Sequence, residues 1–519
     1  MGRAGGILSS PGEKADDSGF ANPWSFILAL EGTLLFASAV TRRFGAAADN
    51  GAMPFLTRAS PAGYPTAASD EKVKGEQWVP LWPRPASLRE VEQLIGEGRA
   101  QWRGRQARTG LEFTMAAAAL GVDRGVSAFR RFVIVQRLGQ NPLAVPAGRV
   151  MVRRHPEERL LREPYDWIRR LRTASLPAGI ASVIRRVEAE MCAAASGGGP
   201  AALRRFVIEF GRLHASVARS GAARGKVQPS AARRAADWLA ALPADPELWV
   251  AAGFASLRDT RPAGEDLSVR ALLTRVREHR LPNRRPQLEW ARSALTGLDI
   301  NSATLAQAVA EAHRRRAMNV RSSTETGTPP DRQAHGNSST FPAGQVLPMA
   351  VVQAYMLGWL DDALIAGYLN GLLALGCAAT TDATWPDTGH NRAPVHPLLA
   401  ALLPFYAAAP LSIQPLARTG QDVPAPREVE LSPSPSWAGR LIAGDAAGVA
   451  ADALLRLRRA GCPPVMTPAG LTIMPADGAR LAGALLLRVP SRARMQALTS
   501  ICAVTMIRPA EPVPEGVPS

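Results

Sequence analysis

The stretch AALRRFVIEFGRLHAS, residues 201–216, sets Leu203, Phe206, Val207, Phe210 and Leu213 at i, i+3, i+4, i+7 and i+10. That period lays one apolar stripe along one side of an α-helix. It recurs outward in both directions. Residues 160–171, 177–192, 231–242 and 247–257 repeat it, and residues 299–318 read the same way. Past residue 346, the segments 351–375, 397–408, 437–460 and 479–487 are further helix candidates. The expected class is therefore mainly α, multi-domain, with helical bundles in the middle and C-terminal parts.

One region breaks the helical period. Residues 75–85 (GEQWVPLWPRP) hold too much Pro and Trp for a helix and read as extended chain. Phe132-Val133-Ile134-Val135 reads as a strand, Gly139-Gln140-Asn141 as a turn and residues 143–145 as a returning strand. Residues 86–97 form a short helix with Ser87 and Glu90 at capping-box spacing, and residues 111–120 form another. The result is a small α+β module over residues 19–155. A helical domain over 156–318, a linker over 319–346 and a C-terminal helical domain over 347–507 follow it. Residues 1–18 and 508–519 are expected to be disordered ends. The linker rests on NVRSSTETGTPPDRQAHGNSSTFPAG, residues 319–344, poor in apolar residues and rich in Ser, Thr, Gly and Pro.

Charge is distributed unevenly. The 519 residues carry a net +17, supplied almost wholly by arginine, with lysine only at 14, 72, 74 and 226. A preference for Arg over Lys fits codon bias in a GC-rich genome, but bias does not gather the surplus in one place. Residues 99–154 hold eleven arginines against Glu112 and Asp123, whereas residues 347–507 hold eleven against ten acids. A concentrated positive surface points to a polyanion, nucleic acid first. The candidate contacts are Arg99, Arg103, Arg105, Arg108, Arg124, Arg130, Arg131, Arg137 and Arg149. Trp102 is the expected stacking ring, set in a Gly-Arg loop that lets phosphates approach the backbone.

Other classes find little support. The cysteines, Cys192, Cys377, Cys462 and Cys502, lie too far apart for a thiolate zinc pair or a disulfide framework, which suggests reduced thiols and a cytoplasmic protein. Residues 1–17 lack the apolar core of a signal peptide. The apolar run 24–40 carries Glu31 and is short for a bilayer, so a buried helix is expected, with Glu31 paired to Arg42, Arg43 or an arginine of the basic segment and no membrane partner. Asp382, Asp387, His390 and His396 sit in a Thr-, Pro- and Gly-rich stretch that reads as surface loop. Asp361 and Asp362 are adjacent on a helix and point apart. No nucleotide loop or nucleophile elbow occurs. No catalytic residue, metal or cofactor is expected, and the chain does not read as an enzyme.

Seven short motifs, in one order, resemble a known family. They begin with Asn22-Pro23-Trp24-x-Phe26-x-Leu28-Ala29-Leu30-Glu31-Gly32 and Gly75-Glu76-x-Trp78-x-Pro80-Leu81-Trp82-x-Arg84-Pro85-Ala86. Gly98-Arg99-Ala100, Ala107-Arg108-x-Gly110-Leu111-Glu112-Phe113 and Leu120-Gly121-Val122-Asp123-Arg124-Gly125 follow. Phe129-Arg130-Arg131-Phe132 and Leu143-Ala144-Val145-Pro146-x-Gly148-Arg149 complete the set. The pattern is similar to the large-subunit protein of type I-G (formerly I-U) CRISPR effector complexes. It continues weakly through Leu360-Asp361-Asp362, Gly444-Asp445 and Arg480-Leu481-Ala482-x-Ala484-Leu485-Leu486-Leu487.

The resemblance implies a non-catalytic subunit of a Cascade-type ribonucleoprotein in antiviral defence. Its implied partners are crRNA-bound backbone subunits, target double-stranded DNA with its displaced strand, and a recruited helicase–nuclease. It would help recognise the protospacer-adjacent motif and stabilise the R-loop while base pairing reads the target. Family members carry a sizeable module ahead of the Asn-Pro-Trp helix; some twenty residues precede it here, so that module is expected to be missing. The rival from another class is a stand-alone helical DNA-binding regulator. It would require a helix-turn-helix, and the basic segment shows no pair of short helices joined by a Gly turn.

Overall fold

The structure, a computed structural model, describes residues 23–41, 55–58, 73–97, 100–122, 125–135, 143–230, 235–258, 267–279, 287–325, 341, 344–376, 394–407, 409–415 and 425–506. They are mainly α-helical, with a small α+β module, as the periodicities predict. The chain divides into two compact units. One takes Met1–Arg172 with Pro177–Glu209, the other Thr173–Leu176 with Phe210–Ser519.

The first unit runs α1 (Pro23–Thr41), β1 (Leu56–Arg58), β2 (Val73–Leu81), α2 (Leu88–Glu97), β3 (Gln101–Trp102), β4 (Arg105–Gln106), α3 (Gly110–Ala118), β5 (Ala128–Val135), β6 (Leu143–Met151), α4 (Glu158–Thr173), α5 (Ala178–Ala195) and the first half of α6 (Gly199–Arg219). An antiparallel sheet of order β1-β2-β5-β6 forms its floor. Alternation along β5 turns Phe129, Arg131 and Val133 inward. There Trp78 stacks on Phe113 of α3 at 4.3 Å, and Phe113 meets Phe129 edge-on at 4.9 Å. Such aromatic pairs each add about 0.5–1.5 kcal/mol beyond their buried area. Helix α2 starts at the cap its sequence predicts, while the cap of α3 was not expected. Ser87 N donates to Glu90 at 2.7 Å ahead of α2, and Thr109 with Glu112 closes a complete capping box on α3.

Helix α1 exists but is not buried. Trp24 is 71 % exposed, Leu28 68 % and Leu34 61 %. The helix is apolar on all sides, so packing against α2 can cover only a strip of it. Glu31 is exposed and meets no burial penalty; Arg42 and Arg43, two of its expected partners, lie outside the described residues.

The second unit continues with α7 (Gly221–Arg224), α8 (Ala235–Ala241), α9 (Pro246–Ala255), α10 (Val269–Leu273), the hairpin β7 (Val276–His279) and β8 (Gln287–Trp290), and α11 (Leu305–Glu325). Then come α12 (Met349–Met356), α13 (Asp362–Ala374), α14 (Pro397–Leu402), β9 (Leu411–Pro415), β10 (Arg427–Val429), α15 (Trp437–Ile442), α16 (Ala446–Arg459), α17 (Pro468–Leu471), α18 (Gly478–Ala484), α19 (Ser491–Ile501) and β11 (Val504–Met506). A small antiparallel sheet of order β10-β9-β11 edges it. The stretch read as a linker does not separate two bodies: α9, before it, packs on α13, and α11 packs on α18. Residues 319–325 are the last turns of α11.

Two helices expected as single rods are each broken once. Gly358 at φ 72° ends α12, and Asp361 caps α13 by accepting from Ala363 N at 2.8 Å. Gly444 at φ 86° ends α15, and Asp445 caps α16 through Gly448 N at 2.9 Å. A left-handed glycine followed by a capping aspartate stops one helix and starts the next.

Candidate nucleic-acid interface

Five of the ten residues marked by the sequence stand exposed in the first unit: Arg103, Arg105, Arg108, Arg130 and Arg149. Arg99, Arg124 and Arg137 lie outside the described residues. The other two have structural roles, and the expectation is corrected for both.

Arg131 is only 4 % exposed, and its Nε and Nη2 donate to the two carboxylate oxygens of fully buried Glu76, each at 2.9 Å. That fork satisfies both groups at once. Arg131 also stands 5.5 Å from the Trp78 ring centre. Gly110 opens α3 directly against the Glu76 carboxylate, where a Cβ would collide with it. The anion therefore also rests at a helix N-terminus, which favours negative charge. Trp102 is 5 % exposed, donates from Nε1 to Glu158 and meets Tyr165 edge-on at 4.8 Å. It holds the β3–β4 hairpin onto α4 and offers no open ring to a base.

The Gly-Arg loop is a two-residue hairpin. Arg103 (φ 54°) and Gly104 (φ 74°) join β3 to β4, and Trp102 faces Arg105 across the ladder. Two positive φ values in succession suit the right-handed strand twist. An arginine in that conformation costs about 1–2 kcal/mol. Asp166 on α4 fixes the side chain, accepting from Arg103 Nη1 with both oxygens at 2.9 Å. The turn thus projects Arg103 and Arg105 beside the exposed end of α4.

There a cavity of about 410 Å³ is bordered by Arg103, Arg105, Arg169 and Arg170, with Glu112 and Asp166 the acids on its wall. Both acids are engaged. Asp166 holds Arg103, while Glu112 accepts from Arg108 N at 2.6 Å, Thr109 N at 3.2 Å and the Tyr165 hydroxyl at 2.5 Å. Burial and the neighbouring Glu112 push the Tyr165 phenol far up, so it stays a neutral donor. Arg105 and Arg169 make no ion pair among the described residues. The groove thus turns spare guanidinium donors toward solvent and suits a phosphate.

Arg169 and Arg170 escaped the sequence reading because the basic segment was ended at residue 154. The signal was present: Arg169, Arg170 and Arg172 crowd the last turns of α4, on a helix otherwise read for its apolar stripe.

Residues that suggested metal chemistry are structural where described. Asp361 is a helix cap, Asp362 pairs with Arg480 from α18, and His396 caps α14 through Leu398 N at 3.3 Å. Among the described residues no cluster of His, Cys, Asp and Glu could hold a metal ion, and no helix is long and apolar enough to cross a membrane. Asp382, Asp387 and His390 lie outside the described residues. No protein-family model and no curated protein matches the chain.

Proposed function

We propose that this protein binds nucleic acid through its first compact unit, as a non-catalytic large subunit of a CRISPR RNA-guided DNA surveillance complex. The observation that carries the binding is the groove where Arg103 and Arg105 of the hairpin meet Arg169 and Arg170 of α4. Phosphate contacts made there are blind to sequence, and an RNA-guided complex needs such contacts, since base pairing supplies the specificity. What ties this surface to that class of complex is the ordered set of motifs in residues 22–149. Several of them account for the module's own architecture. Glu76 and Trp78, Gly110 and Phe113, and Phe129 and Arg131 supply its aromatic core and buried ion pair.

Co-expression with crRNA and the backbone subunits tests the assignment. The protein should enter one large particle on size-exclusion chromatography, and that particle should bind target duplex. A correctly formed crRNA–backbone particle that excludes the protein contradicts the subunit assignment, whatever the isolated chain binds.

A further inference from the structure

The outer face of the four-stranded sheet carries two side-chain rows fixed by strand register. Val79, Arg130 and Arg149 lie abreast across β2, β5 and β6, and Gln77, Phe132 and Pro146 form the next row on that face. Arg130 and Arg149 are exposed and Phe132 is half-buried, opposite the inward Phe129, Arg131 and Val133. Guanidinium groups placed directly opposite on neighbouring strands repel. Neither Arg130 nor Arg149 makes an ion pair among the described residues. Beside this uncompensated pair stands a ring, the Phe132 centre lying 5.9 Å from the Arg130 guanidinium.

Paired guanidinium groups next to an aromatic face match the chemistry of an unpaired nucleotide: a phosphate between the charges and a base over the ring. A duplex keeps its bases stacked inside and gives the ring nothing to hold. We infer that this face binds a single, unpaired nucleic-acid strand, with Phe132 stacking on a base and Arg130 and Arg149 clamping a phosphate. This rests on the nucleic-acid reading above and gives it a strand class and a place separate from the arginine groove.

Fluorescence anisotropy of the full chain with labelled oligo-dT, oligo-U and a DNA duplex of equal length tests it. Phe132→Ala should weaken oligo-dT binding about 5- to 150-fold, the range of one lost base stack, and change duplex binding by less than about twofold. Phe132→Leu keeps the bulk on the sheet and should lose most of the same affinity, which separates stacking from misfolding. Arg149→Thr should flatten the single-strand salt slope by about 0.7. Because it relieves a like-charge pair, it should leave the thermal midpoint of the free protein unchanged or raised. Equal loss on single strand and duplex from Phe132→Ala, or no loss on either while Arg169→Ala still weakens duplex binding, overturns this inference and leaves the groove standing. The tighter of oligo-dT and oligo-U identifies the strand as DNA or RNA. A wild-type chain that binds none of the three probes removes the nucleic-acid reading itself.

Discussion

Arg130 and Arg131 are neighbours in sequence with opposite fates. Strand alternation sends Arg130 to solvent and Arg131 into the bidentate pair with Glu76. Removing one partner of a buried pair strands the other charge, so Arg131→Ala should cost about 3–5 kcal/mol. Arg130→Ala should stay within about 0.5 kcal/mol in stability and be felt in binding. Chemical denaturation followed by tryptophan fluorescence measures both, since Trp78 lies beside Arg131 in the same core; equal stability losses contradict the assignment. The sequence could not separate the two arginines. Apolar residues stand on both faces of β5, Phe129 and Val133 inside and Phe132 and Ile134 outside, so alternation alone did not name the core side. Trp102 misled for a related reason. A tryptophan among arginines has the composition of a stacking surface, and only the fold reveals Glu158 waiting for its Nε1.

At the scale of elements, helices and strands were legible wherever period and caps agreed. Helices α2 to α6 begin and end within a few residues of expectation, whereas the strands were located but not bounded: β5 starts four residues before the expected Phe132, and β6 runs on to Met151 from an expected 143–145. What the period could not show was interruption. Gly358 and Gly444 sit in runs whose apolar spacing continues across them, and only the following Asp361 and Asp445 mark a restart. Burial was the other failure: α1 is as apolar as a core helix yet lies exposed. Leu28→Glu and Leu34→Glu should therefore each change stability by no more than about 0.5 kcal/mol, where a core position would lose about 2–5 kcal/mol on truncation. A large drop in thermal midpoint for either contradicts the placement of α1. In the second unit, His313 of α11 donates from Nδ1 to the Ala482 carbonyl of α18 at 2.7 Å. Burial pushes its pKa down to about 4, the hydrogen bond to Ala482 opposes this, and Arg316 adds to it. The folded protein therefore binds this proton less readily than the unfolded chain, whose histidine titrates near 6.5. The stabilisation is complete above about pH 6.5 and falls by up to about 1.4 kcal/mol per unit as pH drops toward 4. His313→Gln should flatten the pH dependence of the denaturation midpoint in that window by about one proton's worth. An unchanged slope contradicts a neutral, buried His313.

For the whole molecule, the basic segment read from the sequence, residues 99–154, lies within the first unit and stops short of Arg169 and Arg170. The groove needs α4 beside the β3–β4 hairpin, and the contact between Arg103 and Asp166, 63 positions apart, is invisible to any local window. Half of its guanidinium wall, Arg169 and Arg170, lay beyond the counted segment. The central claim is that this wall contacts phosphate, and the salt dependence of DNA affinity tests it most directly. Binding of the full chain to one DNA duplex is measured at several salt concentrations for the wild type, Arg105→Ala and Arg169→Ala. Arg459→Ala, on exposed helix surface in the nearly neutral C-terminal region, serves as control. If four to six phosphates are engaged, log affinity falls against log salt with a slope of roughly −3 to −5, and each groove variant flattens it by about one. The control should leave both slope and affinity unchanged. Equal effects from groove and control variants, or a wild-type slope near zero, would contradict the account.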